Sequence, residues 1–375
     1  MPLLTEALRL QAVELSLIRQ VMNLAHPDSV NLALGELGFD MPQFLREKAI
    51  EIITSATAVY TPNAGLLETR EAIVAAYYPA SCPDRICVCN GAEEAIFITL
   101  FSILNPGDLV AIPDPDYTAY PAICKMLDAK VVRLPFAKDF HTIDWDVWER
   151  TFECGVKALV LSNPSNPSGF ALDHHSAQKL ADICDRNGVI IIVDEIYSML
   201  YFDSSHVSLD QYTSNLFVIN GLSKSHCMSG WRLGWVNAPP SMPASLIKAK
   251  QYISTCSNWL AQKLAVFALS PEGLDSVKPI YAQLFENRQL AIDLLKKRTD
   301  DPASLNIPSA TPYLMLKLKA DDLATAASLA KKGVLTACGR AFGDSGLDWL
   351  RINVAIDKAL LDKALRILTD ELYPH

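Results

Sequence analysis

Between residues 85 and 220 the apolar positions of the chain follow two alternating rhythms. Short runs rich in β-branched residues, "RICVCN" (85–90), "DLVAIP" (108–113), "KVVRLP", "VKALVLS", "VIIIVDE" (189–195) and "LFVIN" (216–220), read as strands. Longer segments with helical spacing lie between them: "GAEEAIFITLFSIL", a helix beginning near Ala92, and "YPAICKML". A further helix is expected from an Asp173 cap to Gly188, because aspartate satisfies the free first-turn amides and glycine accepts the left-handed stop. "VIIIVDE" is apolar on both faces, as a strand covered from both sides must be. From roughly residue 265 the pattern changes to long helices, with strand candidates "TPYLMLKL" (311–318) and "LRINVA" (350–355) before a last helix.

Repeated strand–helix units predict an α/β architecture, a parallel sheet with helices on both faces, plus a smaller α+β domain. The expected boundaries are 1–34 for an N-terminal segment that joins the small domain, 35–264 for the large domain and 265–375 for the small one. In such sheets ligands collect beyond the carboxyl ends of the strands. Asn90-Gly91, the turn from Asn163 to Gly169, Asp194 to Tyr197 and Ser223-Lys224 all fall there.

Charge and composition narrow the classes. The 375 residues carry 33 Lys and Arg against 42 Asp and Glu, a net charge of −9, and no basic cluster of the kind that grips a nucleic acid. No apolar run reaches the length of a bilayer span. The N-terminal stretch contains Glu6 and Glu14 and lacks the basic, apolar and small-residue series of a secretory signal, so a cytoplasmic protein is expected. Nine cysteines occur without a Cys-x-x-Cys pair. Cys87 and Cys89 share one face of a strand and are expected as buried, reduced thiols, with no metal site.

The strand ends then supply chemistry. Gly91 allows close approach to a helix N-terminus, where the amides of Ala92 and Glu93 are free for a phosphate. Ser223 and Arg232 add a hydroxyl and a guanidinium fork suited to the same anion. Asp194, ending a buried strand, needs a cationic partner. Lys224, at the end of an apolar run, must be paired, neutral or covalently linked. Each has a bland reading, Asp194 as a structural salt-bridge residue and Lys224 as a surface lysine. Together they describe a site for pyridoxal 5'-phosphate.

These residues also carry a resemblance. "SKSHCMSGWRLGW" resembles the Ser-Lys-x-x-x-x-x-Gly-x-Arg-x-Gly motif of the class I/II aminotransferases, the fold-type-I enzymes dependent on pyridoxal phosphate. "NPSNPSG", "DEIY", "PDPDYTAYP", "YTPNAG" and "RINVA" are similar to further motifs of that family. The resemblance runs from "LALGELGF" to "WLRINVA". It implies an aspartate aminotransferase-like fold with a mostly parallel seven-stranded sheet. It also implies that Lys224 is the lysine condensed with the cofactor aldehyde, with Ser223 and Arg232 on the phosphate. Asp194 would face the pyridine nitrogen, Tyr117 stack on the ring, and Asn166 and Tyr197 reach the phenolic oxygen. Arg351 would clamp the substrate α-carboxylate, with Gly35 and Asn166 beside the substrate. Tyr60 would reach the phosphate of a neighbouring subunit in a homodimer. A free amino acid and a 2-keto acid are the implied substrates.

The chain departs from that family at three places. Gly221 stands where a further phosphate-binding serine is common, Gly35-Glu36-Leu37-Gly38-Phe39 replaces Gly-Glu-Pro-Asp-Phe, and Cys338 stands where proline is common. A related group of similar fold cyclises hydroxylated arginine by γ-elimination. That alternative would need acidic side chains around a guanidinium, for which Glu14, Glu36 and Asp116 are candidates, though surface or capping carboxylates are the first reading of all three. Transamination is placed first. A ligand-binding regulator of this fold is disfavoured because no DNA-binding segment precedes residue 35 and the net charge is negative.

Overall fold

The computed structural model describes residues 5–137 and 139–373. Its first strand, β1 (Val30–Asn31), lies outside the main sheet. The next seven are β2 (Ile86–Cys89), β3 (Leu109–Asp114), β4 (Lys130–Pro135), β5 (Ala158–Ser162), β6 (Ile190–Asp194), β7 (Leu216–Gly221) and β8 (Gly234–Asn237). They form one sheet in the order β2-β8-β7-β6-β5-β3-β4. Only β8 runs antiparallel to its neighbours β2 and β7. The mostly parallel seven-stranded sheet is therefore present, with one strand that the apolar pattern did not reveal. β8 is "GWVN", four residues with a glycine and an asparagine at its ends, too short for periodicity to speak.

The central strands are buried on both sides, and their residues alternate between two cores as the two-residue pleat requires. Leu159, Leu161, Ile191 and Val193 pack with Trp148, Phe152 and Leu264 on one face. Val160, Ile192, Phe217 and Ile219 pack with Ile96, Ile98 and Leu246 on the other. Cys87 and Cys89 point into that second core as free thiols, as expected. The helix His174–Asn187 starts where its cap predicts: the Asp173 carboxylate accepts from the Ser176 amide at 2.7 Å. It stops at Gly188 with φ +65°.

The remaining strands are β9 (Leu305–Asn306), β10 (Tyr313–Lys317), β11 (Val334–Leu335), β12 (Ala337–Cys338) and β13 (Trp349–Asn353). Four of them form an antiparallel sheet in the order β12-β13-β10-β9, while β11 pairs in parallel with β1. Helices Lys278–Arg298 and Lys358–Leu372 contribute to a third core. Leu284, Ile292, Leu314, Ile352 and Leu365 meet Val21, Val30 and Leu32 of the N-terminal segment there. The segment from Val21 to Leu32 is thus docked on the C-terminal helices and strands. Among the described residues no helix is long and apolar enough to cross a membrane.

Candidate active site

The chain leaves β7 at Gly221, passes Lys224 in a single helical turn (Leu222–Ser225), turns again through Ser229–Trp231 and returns as β8. This excursion hangs Ser223, Lys224 and Arg232 over the carboxyl end of the sheet. They line a cavity of about 1050 Å³ together with Ala92, Glu93, Tyr117, Asn166, Asp194 and Tyr197 from the other strand ends. Gly35 and Arg351 enter the same cavity from the second sheet's side. A smaller cavity of about 330 Å³ near Arg85 and Asp210 contains none of these residues.

At one end, Gly91 has φ +94°, and a Cβ there would lie 2.6 Å from Arg232 Nη2. Only glycine lets the guanidinium lie against the start of helix Ala92–Ile103, whose first amides have no acceptor within the helix. Arg232 itself holds a left-handed backbone, φ +54°, and donates from Nη1 to the Ser229 carbonyl at 3.0 Å. Glu94 turns away from the cavity to Lys250, at 3.2 Å, and the Asn90 amide. Glu93 stays at the cavity wall.

In the middle, the Asp194 carboxylate is almost fully buried and receives Tyr120 Oη at 3.1 Å and the Ile196 amide at 3.1 Å. Burial outweighs these donors and raises its pKa to about 6. Lys224 is shifted the opposite way, down to about 8. Burial is the main cause, the charges of Arg351 and Arg232 act in the same direction, and Glu36 and Asp194 oppose it.

At the far end, Arg351 is buried on β13. It donates from Nη1 to Asn166 Oδ1 at 2.7 Å and from Nη2 to the Ala33 carbonyl. Its guanidinium lies 4.3 Å from the centre of the Tyr313 ring and 4.8 Å from that of Phe342, and its Nε is buried without a hydrogen-bond partner among the described residues. Asn353 donates to the carbonyls of Leu34 and Glu36, at 2.8 and 2.6 Å, and so ties the Gly35 loop to β13.

The model of the aminotransferase class I and II family matches residues 27–368. The chain belongs to that family. It is 29% identical to a probable aspartate aminotransferase of Methanocaldococcus jannaschii, covering 96% of this chain and 98% of that one. Identity is 30% to a probable N-acetyl-LL-diaminopimelate aminotransferase of Bacillus subtilis, covering 94% and 92%. An aspartate aminotransferase structure from Thermus thermophilus superposes with a TM-score of 0.92 over 99% of this chain and all of the other; at 24% identity that likeness speaks for the fold. The chain is an aminotransferase dependent on pyridoxal phosphate, built on the aspartate aminotransferase-like fold.

The donor set fits that cofactor. The glycine-backed guanidinium and free amides suit a phosphate, and the buried Asp194 suits a protonated ring nitrogen, which would supply the cation its raised pKa calls for. Among the described residues no group of three His, Cys, Asp or Glu side chains could hold a metal.

Two of the expected residues stand apart. Gly91 supports the cavity from behind Arg232. Tyr60 is 89% exposed and lies outside the cavity of its own chain. Of the acidic candidates for a guanidinium, Glu14 and Glu36 reach the cavity, Glu36 bonded to Ser229 Oγ. Asp116 does not: it is buried and accepts from the Ser162 amide at 3.1 Å, the Ser162 hydroxyl and the Tyr117 amide. It holds the turn beneath the site. The cyclisation reading finds no support among the relatives named above.

Sequence reasoning passed over two tyrosines. Tyr120 lies in the first turn of the helix Ala119–Met126, three residues after Tyr117, and the two rings meet edge to face at 5.4 Å. Tyr313 sits inside "TPYLMLKL", where the strand pattern gave no sign of chemistry.

Proposed function

We propose that the cavity binds pyridoxal phosphate with its phosphate against Gly91, the amides of Ala92 and Glu93, Ser223 and Arg232. In this reading Tyr117 covers the ring, Asp194 faces the ring nitrogen, and Asn166 and Tyr197 face the phenolic oxygen. The observation that carries it is Lys224: an amine whose pKa burial lowers to about 8, in one cavity with a buried carboxylate and a buried arginine. Lys224 is the residue that would hold the cofactor covalently, and its amine, when free, would take the Cα proton of a free amino acid. Arg351 binds the α-carboxylate; the partnerless Nε and the Asn166-braced Nη1 support that role. The cofactor, when bound, supplies an electron sink for the charge left at Cα. Asp194 holds the ring-nitrogen proton that makes the sink effective.

Transfer of the amino group to a 2-keto acid follows. Incubation with a single amino acid should convert one equivalent per site, and turnover should resume only when a keto acid is added. Borohydride should fix the cofactor to Lys224, and Lys224→Ala should lower turnover by about ten-thousandfold, the upper range for a positioned acid–base group. Sustained formation without keto acid of a product lighter by water that keeps its α-nitrogen would overturn this in favour of cyclisation.

The exposed Tyr60 and Val59, with Ile50 and Ile53 also outward, support a homodimer in which Tyr60 completes the partner's phosphate site. The free cysteines suit a reducing, cytoplasmic compartment. The chain reads as a large domain from 35 and a small one formed by 1–34 and the C-terminal part. The expected changeover at 264/265 falls inside the helix Trp259–Ala268; since Ala261, Leu264, Ala265, Ala268 and Leu269 all join the core on one face of the large sheet, a changeover after Leu269 fits better.

A further inference from the structure

We infer that Tyr313 is a positioning residue for Tyr197, fixing the direction in which the Tyr197 hydroxyl gives its proton. The inference rests on the reading of Tyr197 above. Tyr313 opens β10, opposite Asn353 of β13, and both tyrosines are almost fully buried. Their hydroxyls are hydrogen-bonded to each other, and their rings meet edge to face, 5.5 Å apart at 74°. The Tyr313 hydroxyl is confined on a further side: a Cβ on Gly35 would overlap its oxygen. Arg351 covers the Tyr313 ring at 4.3 Å.

A phenol has one proton to give and two lone pairs to receive with. In a pair of buried phenols one must donate, and the choice decides what the other can do. The Arg351 cation lies against the Tyr313 ring and favours loss of its proton, so Tyr313 is the stronger acid and the donor. Consistent with this, burial raises both hydroxyls and Arg351 opposes it at both, but the bond between them lowers Tyr313 and pushes Tyr197 further up. Tyr197 therefore accepts from Tyr313 and keeps its own proton for the cavity, where the phenolic oxygen of the cofactor is assigned. Were the bond reversed, Tyr197 could only accept, and two oxygens would face each other without a proton between them. Bonds in such a chain polarise one another, so the proton from Tyr313 also strengthens the one Tyr197 gives. The charged or titratable groups that share this part of the cavity include Arg351 from β13, Glu36 beside Gly35, Tyr117 from the loop after β3, Asp194 at the end of β6, Lys224 after β7 and Arg232 before β8.

The test uses the holoenzyme and reads the pH midpoint at which the visible band of the Lys224-linked cofactor changes. A hydrogen bond to the phenolic oxygen stabilises its anion and so lowers the pH at which the linkage gives up its proton. Tyr313→Phe keeps the ring under Arg351 and removes only the hydroxyl. The midpoint should rise by about half to one pH unit, the equivalent of one modest hydrogen bond. Tyr197→Phe should raise it further, and adding Tyr313→Phe to Tyr197→Phe should change nothing more. Gly35→Ala, whose added carbon displaces the Tyr313 hydroxyl, should move the midpoint in the same direction as Tyr313→Phe. An unchanged or lowered midpoint in Tyr313→Phe overturns the inference, as does full additivity in the double variant. If borohydride fails to fix the cofactor to Lys224 in the native enzyme, the underlying reading of the site fails instead.

Discussion

At one end of the cavity, Gly91, the first turn of helix Ala92–Ile103 and Arg232 rise from β2 and β8, neighbours in a single sheet. At the other end, Arg351, Tyr313 and the Gly35 loop come from β13, β10 and the N-terminal segment, and the Arg351–Ala33 bond spans 318 residues of sequence. The first end is fixed by backbone: a glycine too close to a guanidinium for any side chain, and a strand pair that sets their distance. The second is fixed by docking, with Asn353 holding the Gly35 loop and Asn166 reaching across to Arg351. An end built from sheet backbone should hold its ligand whatever happens at the other. An end built by docking should control how substrate is handled and be open to change without loss of the cofactor.

The sharpest way to break this contrast is Arg351→Ala. Loss of a charge-assisted bidentate pair costs roughly 2–4 kcal/mol, so kcat/KM for amino acids should fall on the order of a hundredfold. Cofactor retention after gel filtration should stay as in the native enzyme. If the cofactor were lost in parallel, the two ends would be one cooperative unit and the contrast would be wrong. A fall in thermal stability with kcat/KM intact would reduce Arg351 to a tie between the two sheets.

The Lys224 excursion itself is pinned by His226. Its Nε2 donates to the Ala268 carbonyl at 2.9 Å, which leaves Nδ1 to accept from Ser225 Oγ at 2.8 Å. Burial lowers the imidazole pKa from 6.5 to about 4, against a small opposing pull from the Ala268 carbonyl. Between those values the unfolded chain takes up a proton that the folded one refuses, so stability is lost as pH falls from 6.5 towards 4. The whole effect is about 3 kcal/mol. Urea melts at pH 7, 5 and 4 should show this acid loss, and His226→Gln should flatten that part of the profile. An identical acid limb in the variant would mean that other groups cause it.

The same contrast explains what could be read from the chain. The sheet, the Asp173 and Gly188 helix signals and the strand ends lie in contiguous stretches where spacing carries the geometry. The places of Gly91-Ala92-Glu93 and Ser223-Lys224 at those ends were legible because each motif is local. The docked end was legible only in part: the place of Arg351 through its motif, but that of Tyr313 not at all, because it depends on Gly35 and Arg351, brought beside it by the docked N-terminal segment. β8 escaped because four residues are too few for a period. Asp116 shows the opposite case. An acidic residue beside a site motif is open to two readings, a guanidinium partner or a capping carboxylate, and the fold, which turns it inward to Ser162, favours the second.

The smallest effect concerns Gly221, where serine is common in the family. Read from sequence, Gly221 marks a phosphate contact that is missing or moved, with Gly91, Ser223 and Arg232 remaining. Read from structure, it is a packing requirement. A Cβ at Gly221 would lie 2.7 Å from the Leu233 carbonyl oxygen and 3.0 Å from Gly234 Cα. Both are backbone atoms at the start of β8, and they cannot swing aside as a side chain could. Gly234 is itself hemmed in, since a Cβ there would meet the Ala92 amide at 2.6 Å. Pushing β8 away would therefore disturb the helix start to which the phosphate site is assigned above. Gly221→Ser should destabilise the protein by about 1–3 kcal/mol, the usual cost of overpacking, and should weaken cofactor retention slightly or leave it unchanged. Urea midpoints and the cofactor dissociation constant measured on the same preparation decide between the two readings. Tighter cofactor binding at unchanged stability would show that the backbone at this end gives way more easily than its close contacts imply, and the contrast between a fixed and a docked end would have to be redrawn.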